Sequence, residues 1–122
     1  MTVSVVIPLY NEEENVEVLH ERLRPVLEGI GVEYEIIYVD DGSTDNTLSL
    51  LEKIQESNAS VTVLSLRRNF GQTAAFAAGF DFARGDVIVT MDGDLQNDPK
   101  DIPRLLDLTK DNDLVSGWRK RR

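Results

Sequence analysis

The chain has 122 residues and a formal net charge of −9, which is the size of one domain. Its composition, 41% hydrophobic and 29% charged, is typical of a globular protein with a buried core. The acidity argues against a general nucleic-acid-binding protein, because that class binds phosphates through clustered cations, and the absence of cysteine excludes disulfides and thiolate metal sites.

Short runs rich in Val and Ile alternate with helical patterns along the chain. Such runs predict strands that are buried on both faces of a sheet. The strands are predicted at 3–7, 35–39, 61–66 and 86–91, with 114–116 as a fifth candidate. Apolar residues at helical spacing predict helices near 16–30, 48–54, 74–83 and 102–108. The third of them carries small residues on its packing face and is therefore predicted to pack closely.

The order of these elements predicts an α/β fold with a doubly wound, mostly parallel sheet between two layers of helices. Residues 1–122 are predicted to form one domain of this Rossmann-like kind. In such sheets ligands bind beyond the carboxyl ends of the strands, near the point where the strand order reverses.

Three acidic segments follow predicted strands directly. Glu12 follows the first strand, Asp40 and Asp41 follow the second, and Asp92 and Asp94 follow the fourth. Because parallel strands end at one edge of the sheet, these carboxylates are predicted to meet there. The acidic run that begins at Glu12 also suits the start of the first helix, where negative charge complements the helix dipole.

The segment MDGDLQ carries the most specific signal. It places Asp92 and Asp94 two residues apart with only Gly93 between them, which leaves room for a ligand. Two carboxylates with the neutral oxygen of Gln96 suit Mg²⁺ or Mn²⁺. The alternative is a plain Asp-Gly turn in which the second aspartate is solvated.

The DDGSTD segment has a structural and a functional interpretation. Gly42 permits a turn, and Ser43, Thr44 or Asp45 caps the following helix. One aspartate can cap the helix while the other reaches the ligand, where it can accept hydrogen bonds from a base or a ribose. Tyr10 is interpreted either as a flat contact for a nucleobase or as a structural residue.

Several basic residues and the single histidine are further candidates for functional roles. Arg67 and Arg68 form either a solvated loop end or a pyrophosphate contact, and Arg119 is a further phosphate candidate. The basic residues at 119–122 are a solvated end or a contact for anionic lipid. The lone histidine, His20, excludes a histidine-based triad or zinc site and is expected at the surface.

Four stretches occur together in a specific order: VSVVIPLYNEEENV, VDDGSTDNT, RNFGQTAAFAAGFDFARGDVIVTMDGDLQNDP and SGWRKRR. With them the chain resembles family-2 glycosyltransferases of the GT-A fold, above all dolichyl-phosphate mannose synthases and undecaprenyl-phosphate sugar transferases. The motif NFGQ before an alanine-rich helix narrows the resemblance to the polyprenyl-phosphate branch.

The resemblance implies a role for each matching residue. The nucleotide-sugar pocket would be lined by Pro8, Tyr10 and Glu12, with Val39 and Asp41 beside the base and ribose. Asp92, Gly93 and Asp94 would form the catalytic DxD element, with Asp92, Asp94 and Gln96 around Mg²⁺ or Mn²⁺. Arg119 would approach the donor or acceptor phosphate.

The reaction implied by the resemblance is an inverting transfer of a sugar from a GDP- or UDP-sugar to a polyprenyl phosphate. It would take place at the cytoplasmic face of a membrane. Family members continue beyond this length with an acceptor-binding part, so the chain is expected to be the donor-binding part, with an exposed apolar surface that permits self-association. The alternative functions are a nucleotide-binding module without catalysis and, more remotely, a phosphatase with a D-x-D nucleophile.

Overall fold

A computed structural model describes residues 2–93, 98–108, 114–115 and 118–120. In chain order the elements are β1 Thr2–Leu9, α1 Val16–Ile30, β2 Glu33–Asp40, α2 Thr47–Ser57, β3 Val61–Ser65, α3 Gln72–Phe82, β4 Val87–Thr90, a 3₁₀ turn Pro99–Asp101, α4 Ile102–Leu108, β5 Leu114–Val115 and β6 Trp118–Lys120. The four predicted strands and four predicted helices are confirmed. None of the helices described is both long and apolar enough to cross a membrane.

The strands form one sheet in the order β3-β2-β1-β4-β6-β5. The first four strands in this order are parallel, while β6 runs antiparallel to β4 and β5 runs antiparallel to β6. The chain builds outward from β1 to β3 and then returns to place β4 on the other side of β1. The strand order therefore reverses between β1 and β4, as a doubly wound sheet requires.

Alternation along β1 divides the core between the two faces of the sheet. Val3, Val5 and Ile7 belong to a large apolar cluster with the buried residues of α1, α2 and α4. Val6 belongs to a smaller cluster on the opposite face, where Ala75 of α3 contributes. The predicted arrangement of three layers is confirmed, with three helices on one face of the sheet and α3 on the other.

Helix α3 packs closely on the sheet, as its small residues predict. Ala75 is fully buried. A Cβ atom on Gly79 would lie 2.3 Å from Cγ1 of Val6, far inside van der Waals contact. The glycine therefore sets the distance between helix and sheet.

Gly79→Ala is expected to destabilise the protein by about 1–3 kcal/mol, because the added methyl group overpacks the contact with Val6. This cost exceeds the gain of up to about 1 kcal/mol in helix propensity. Gly29 provides a matched control, since it lies in α1 with open space around the position of a Cβ. Gly29→Ala is expected to stabilise the protein. Urea denaturation of both variants checks this prediction, and equal effects on the free energy of unfolding would contradict it.

The expectation that His20 lies at the surface is wrong. His20 is only 7% exposed, and its Nδ1 lies 2.8 Å from the hydroxyl oxygen of Tyr38, which is fully buried on β2. Burial raises the pKa of Tyr38, so the phenol keeps its proton and shares a hydrogen bond with the imidazole. The histidine was misplaced because an apolar stripe along α1 does not reveal a polar partner on a neighbouring strand.

The buried histidine predicts a loss of stability on acidification. Burial, with a smaller contribution from the charge of Arg24, lowers the pKa of His20 below its ordinary value of 6.5. Between the folded and unfolded pKa values the unfolded chain binds more protons, so the free energy of unfolding rises with pH. Stability is therefore expected to fall as the pH drops through 6.5 towards the folded pKa. The Tm difference between pH 7.5 and pH 5.5 is expected to shrink in His20→Gln, whereas an unchanged difference would exclude this histidine as the cause.

Candidate functional site

A cleft of about 440 Å³ opens at the carboxyl ends of the parallel strands, where β1 and β4 lie side by side. Its lining comes from the end of β1, the start of α3 and the segments that follow β1, β2, β3 and β4. The lining residues are Pro8, Leu9, Tyr10, Glu12, Asp41, Asn69, Gly71, Gln72, Asp92 and Gly93. The structure thus brings together Glu12, Asp41 and Asp92, one carboxylate from each of the three acidic segments.

The loop after β1 is fastened to the loop after β2. Asn11 adopts a left-handed conformation with φ 51°, which asparagine tolerates better than most residues. Its side-chain oxygen accepts hydrogen bonds from the backbone N–H groups of Thr44, at 2.8 Å, and Asp45, at 3.3 Å. The backbone N–H of Glu12 donates to the hydroxyl oxygen of Thr47 at 2.9 Å. These bonds fix the backbone that carries Glu12 at the cleft.

The N-cap of α2 is Asn46, which makes no side-chain capping bond, and not one of the three predicted residues; Asp45, the residue before it, nevertheless binds the first turn. Its Oδ1 accepts a hydrogen bond from the backbone N–H of Thr47 at 2.9 Å. Burial acts to raise the pKa of this carboxylate, but the hydrogen bonds that it accepts, chiefly from Thr47, together lower it. Asp45 therefore stabilises the start of α2 through its carboxylate and the loop at Asn11 through its backbone N–H.

The two adjacent aspartates after β2 have different partners. Asp40 is 2% exposed, and its Oδ2 accepts a hydrogen bond from the N–H of Ser43 at 3.3 Å across the turn. Asp41 lines the cleft, and its two oxygens accept the backbone N–H groups of Phe70, at 2.9 Å, and Gly71, at 3.1 Å. Asp41 thereby holds the loop between β3 and α3, a structural role that the sequence did not indicate.

Two glycines allow loops to approach one another at this edge. Gly42 has φ 71°, and a Cβ there would lie 2.2 Å from the backbone carbon of Arg68. A Cβ on Gly93 would lie 2.0 Å from Cδ2 of Leu9. Gly93 borders the cleft, but the space that its missing side chain was predicted to leave for a ligand is filled by the end of β1. Its first role is therefore to let the loop after β4 pack on β1.

Asp92 contacts the start of α3. The side-chain amide nitrogen of Gln72 donates a hydrogen bond to Oδ1 of Asp92 at 2.7 Å. Among the residues described, no group of three or more histidine, cysteine or acidic side chains is arranged to hold a metal ion. Asp94 and Gln96, the other predicted metal ligands, lie outside the described residues.

The remaining predicted site residues occupy different environments. Tyr10 is 44% exposed at the rim of the cleft. Val39 is fully buried in the cluster beneath α3, because alternation along β2 turns it to that face, and it does not line the cleft. Arg119 lies on β6 opposite Ile88 of β4, and its side chain lies outside the described part of the chain.

The loop after β3 places its arginines away from the cleft lining. Arg67 and Arg68 are exposed, and the guanidinium of Arg68 lies 4.5 Å from the ring centre of Phe70. Exposed large apolar side chains in the described segments are Tyr10, Val18, Phe70 and Phe82. They belong to separate segments and give no support to the predicted self-association.

The family model described as Glycosyl transferase family 2 matches residues 4–122. The chain belongs to glycosyl transferase family 2. All four segments that line the cleft fall within the matched region, so the cleft is part of the family-2 domain.

Two curated relatives of this family-2 chain have names that include polyprenyl phosphates. Dodecaprenyl-phosphate galacturonate synthase of Rhizobium johnstonii is 47% identical over 125 residues, covering 100% of this chain and 37% of the relative. Undecaprenyl-phosphate 4-deoxy-4-formamido-L-arabinose transferase of Pseudomonas fluorescens is 50% identical over 106 residues, covering 86% of this chain and 31% of the relative. The family-2 chain therefore spans about a third of the length of these relatives.

A solved structure supports the same fold. Glucosyl-3-phosphoglycerate synthase from Mycobacterium tuberculosis, in complex with Mn²⁺, UDP and phosphoglyceric acid, is 28% identical with a TM-score of 0.66. The match covers 87% of this chain and 38% of that chain. The predicted GT-A fold of the family-2 domain is confirmed.

Sequence reasoning missed the contributions of Asn69 and Gln72 to this family-2 cleft. Both lie between β3 and the first turn of α3, at the same edge as the acidic segments. These two residues could have been found from their position, because a loop that follows a parallel strand lies at the edge of the sheet where ligands bind. Attention to charged residues alone favoured Arg67 and Arg68 instead.

Proposed function

We propose that this chain is the donor-binding part of an enzyme that transfers a sugar from a nucleoside-diphosphate sugar to a polyprenyl phosphate. The observation that carries the proposal is the meeting of Glu12, Asp41 and Asp92 around one cleft, where the strand order reverses. Ligands bind at this position in doubly wound sheets. The names of the two curated relatives support a polyprenyl phosphate as acceptor.

The nucleotide is proposed to lie against the end of β1 and the segments that follow β1 and β2. Pro8 and Tyr10 offer apolar and aromatic surface, and Glu12 offers a carboxylate. Asp41 already accepts two backbone N–H groups, but an ionised carboxylate has about four lone-pair sites in all. It therefore retains capacity to accept a hydrogen bond from a base or ribose while its position stays fixed.

The diphosphate is proposed to lie near Asp92 together with Mg²⁺ or Mn²⁺. An open polar cleft with few protein carboxylates fits such a cation, because Mg²⁺ is usually bound through one or two carboxylates, substrate phosphates and water. Asp92 would hold it, with Asp94 and Gln96 as the partners proposed from the sequence. When bound, the cation neutralises the charge that develops on the leaving diphosphate. The Mn²⁺ and UDP of the mycobacterial structure support this choice.

The proposed acceptor, a phosphate, requires little catalytic assistance from the protein. A phosphate oxygen is already anionic near neutral pH, so its attack on the anomeric carbon does not require a strong general base. Inversion follows from a single displacement on the face opposite the diphosphate. Arg119 is proposed to approach a phosphate, since guanidinium groups pair well with phosphate oxygens and β6 lies next to β4.

Two measurements on the chain test the proposal. Calorimetry with UDP and GDP, with and without Mn²⁺, is expected to show binding that requires the cation. Incubation of the chain together with its acceptor-binding part, with nucleotide-sugars, Mn²⁺ and a polyprenyl phosphate, is expected to yield lipid-linked sugar. Metal-dependent binding without product would favour the nucleotide-binding module, and the absence of binding to either nucleotide would refute the proposal.

A further inference from the structure

We infer that Gln72 is a positioning residue for Asp92: its side-chain amide holds the carboxylate in the orientation in which Asp92 faces the cleft. Gln72 lies outside the acidic motifs. Its consequence for metal binding rests on the proposed function, whereas its consequence for the conformation of Asp92 does not.

The contact that carries the inference joins two different segments of the cleft. Nε2 of Gln72, the first residue of α3, lies 2.7 Å from Oδ1 of Asp92, in the loop after β4. Both residues line the cleft. A short hydrogen bond to an ionised oxygen is stronger than one between neutral groups. The bond therefore restricts the rotation of the Asp92 side chain.

The hydrogen-bond donor, Gln72, is itself held in place by the fold. The backbone N–H groups of Phe70 and Gly71, immediately before Gln72, are bound by the Asp41 carboxylate. Within α3, the close contact of Gly79 with Val6 fixes the distance of the helix from the sheet. Gln72 thus extends from a supported helix start, and a supported donor can orient its acceptor.

An amide is chemically suited to this role. It donates a hydrogen bond to Asp92 while leaving the negative charge of the carboxylate available to a cation, whereas a positively charged donor would compete with the cation. Groups that orient metal ligands in this way change metal affinity by about 10–100-fold when they are removed. Gln72 is exposed, so water competes for the contact and an effect near tenfold is expected.

Gln72→Met tests the inference, because methionine keeps the length of the side chain and its helix propensity while removing the donor. In the metal-free protein, three-bond Hα–Hβ couplings measured by NMR are expected to show one dominant χ1 rotamer of Asp92 in the wild type. Averaged couplings are expected in Gln72→Met. The Mn²⁺-dependent affinity for GDP or UDP is expected to fall about tenfold, with Tm unchanged.

Thr73→Met is the matched control, since Thr73 is the next residue of α3, is exposed and does not line the cleft. It is expected to leave both the couplings of Asp92 and the nucleotide affinity unchanged. Wild-type couplings in Gln72→Met would overturn the inference. If the wild type shows no metal-dependent binding, the proposed function fails, and the NMR measurement still decides whether Gln72 positions Asp92.

Discussion

Asp92→Asn is expected to weaken Mn²⁺-dependent nucleoside-diphosphate binding by about a hundredfold or more. The substitution removes the charge of a proposed ligand of a hard cation but keeps a side-chain oxygen that can accept the hydrogen bond from Gln72. The fold is therefore expected to remain intact, with Tm unchanged. Asp94→Ala is expected to abolish the same binding. Calorimetric titrations of UDP and GDP with and without Mn²⁺ measure the effect.

The matched control is Asp81→Asn, which makes the same change of charge at an exposed position of α3. It is expected to bind as the wild type does. Without metal, Asp92→Asn is expected to bind nucleotide no more weakly than the wild type, since a negative charge near the diphosphate is lost. Equal metal-dependent affinity in wild type and Asp92→Asn would show that this aspartate does not bind the cation.

Asp41→Ala is expected to lower the free energy of unfolding by about 3 kcal/mol. The carboxylate is 4% exposed and accepts two backbone N–H groups, and hydrogen bonds to charged groups each contribute about 1.5–3 kcal/mol. Phe70 is 48% exposed, so water can offset part of the stability that is lost with its hydrogen bond. The expected effect is therefore the lower end of the summed contributions of the two hydrogen bonds. Nucleotide affinity is expected to fall as well, because the loop that carries Asn69 and Gln72 loses its anchor.

Urea denaturation measures this effect, and Asp81→Ala provides the reference. An exposed surface substitution of this kind is expected to change stability by about 0.5 kcal/mol or less. Asp41→Asn keeps one acceptor oxygen and is expected to fall between the wild type and Asp41→Ala. If Asp41→Ala were as stable as Asp81→Ala, the two hydrogen bonds would not hold the loop.

Most of the fold could be predicted from the sequence because its signals are local and repeated. Helix α1 follows the apolar stripe from Val16 to Ile30, even though Pro25 lies within it. The short antiparallel strand β6 was not predicted, since a run of three residues has no periodicity to read. The buried position of His20 was missed because its partner, Tyr38, belongs to another element.

The site was predictable in outline and not in its contacts. Parallel topology alone requires Glu12, Asp41 and Asp92 to lie at one edge, and they do. The topology does not determine which carboxylate oxygen accepts a hydrogen bond from which donor. The bonds from Phe70 and Gly71 to Asp41 depend on how the loop after β3 bends back, which is decided by three-dimensional packing.

The central place of β1 has a consequence for synthesis on the ribosome. Once residues 2–40 have emerged, β1 can pair with β2 on one side, but its other side is covered only by β4, at 87–90. At about 5–20 residues per second, translation leaves an apolar strand edge open for several seconds. Unpaired edges of this kind recruit other chains. Nascent chains that end between β2 and β4 are therefore the stage at which a chaperone is of most use.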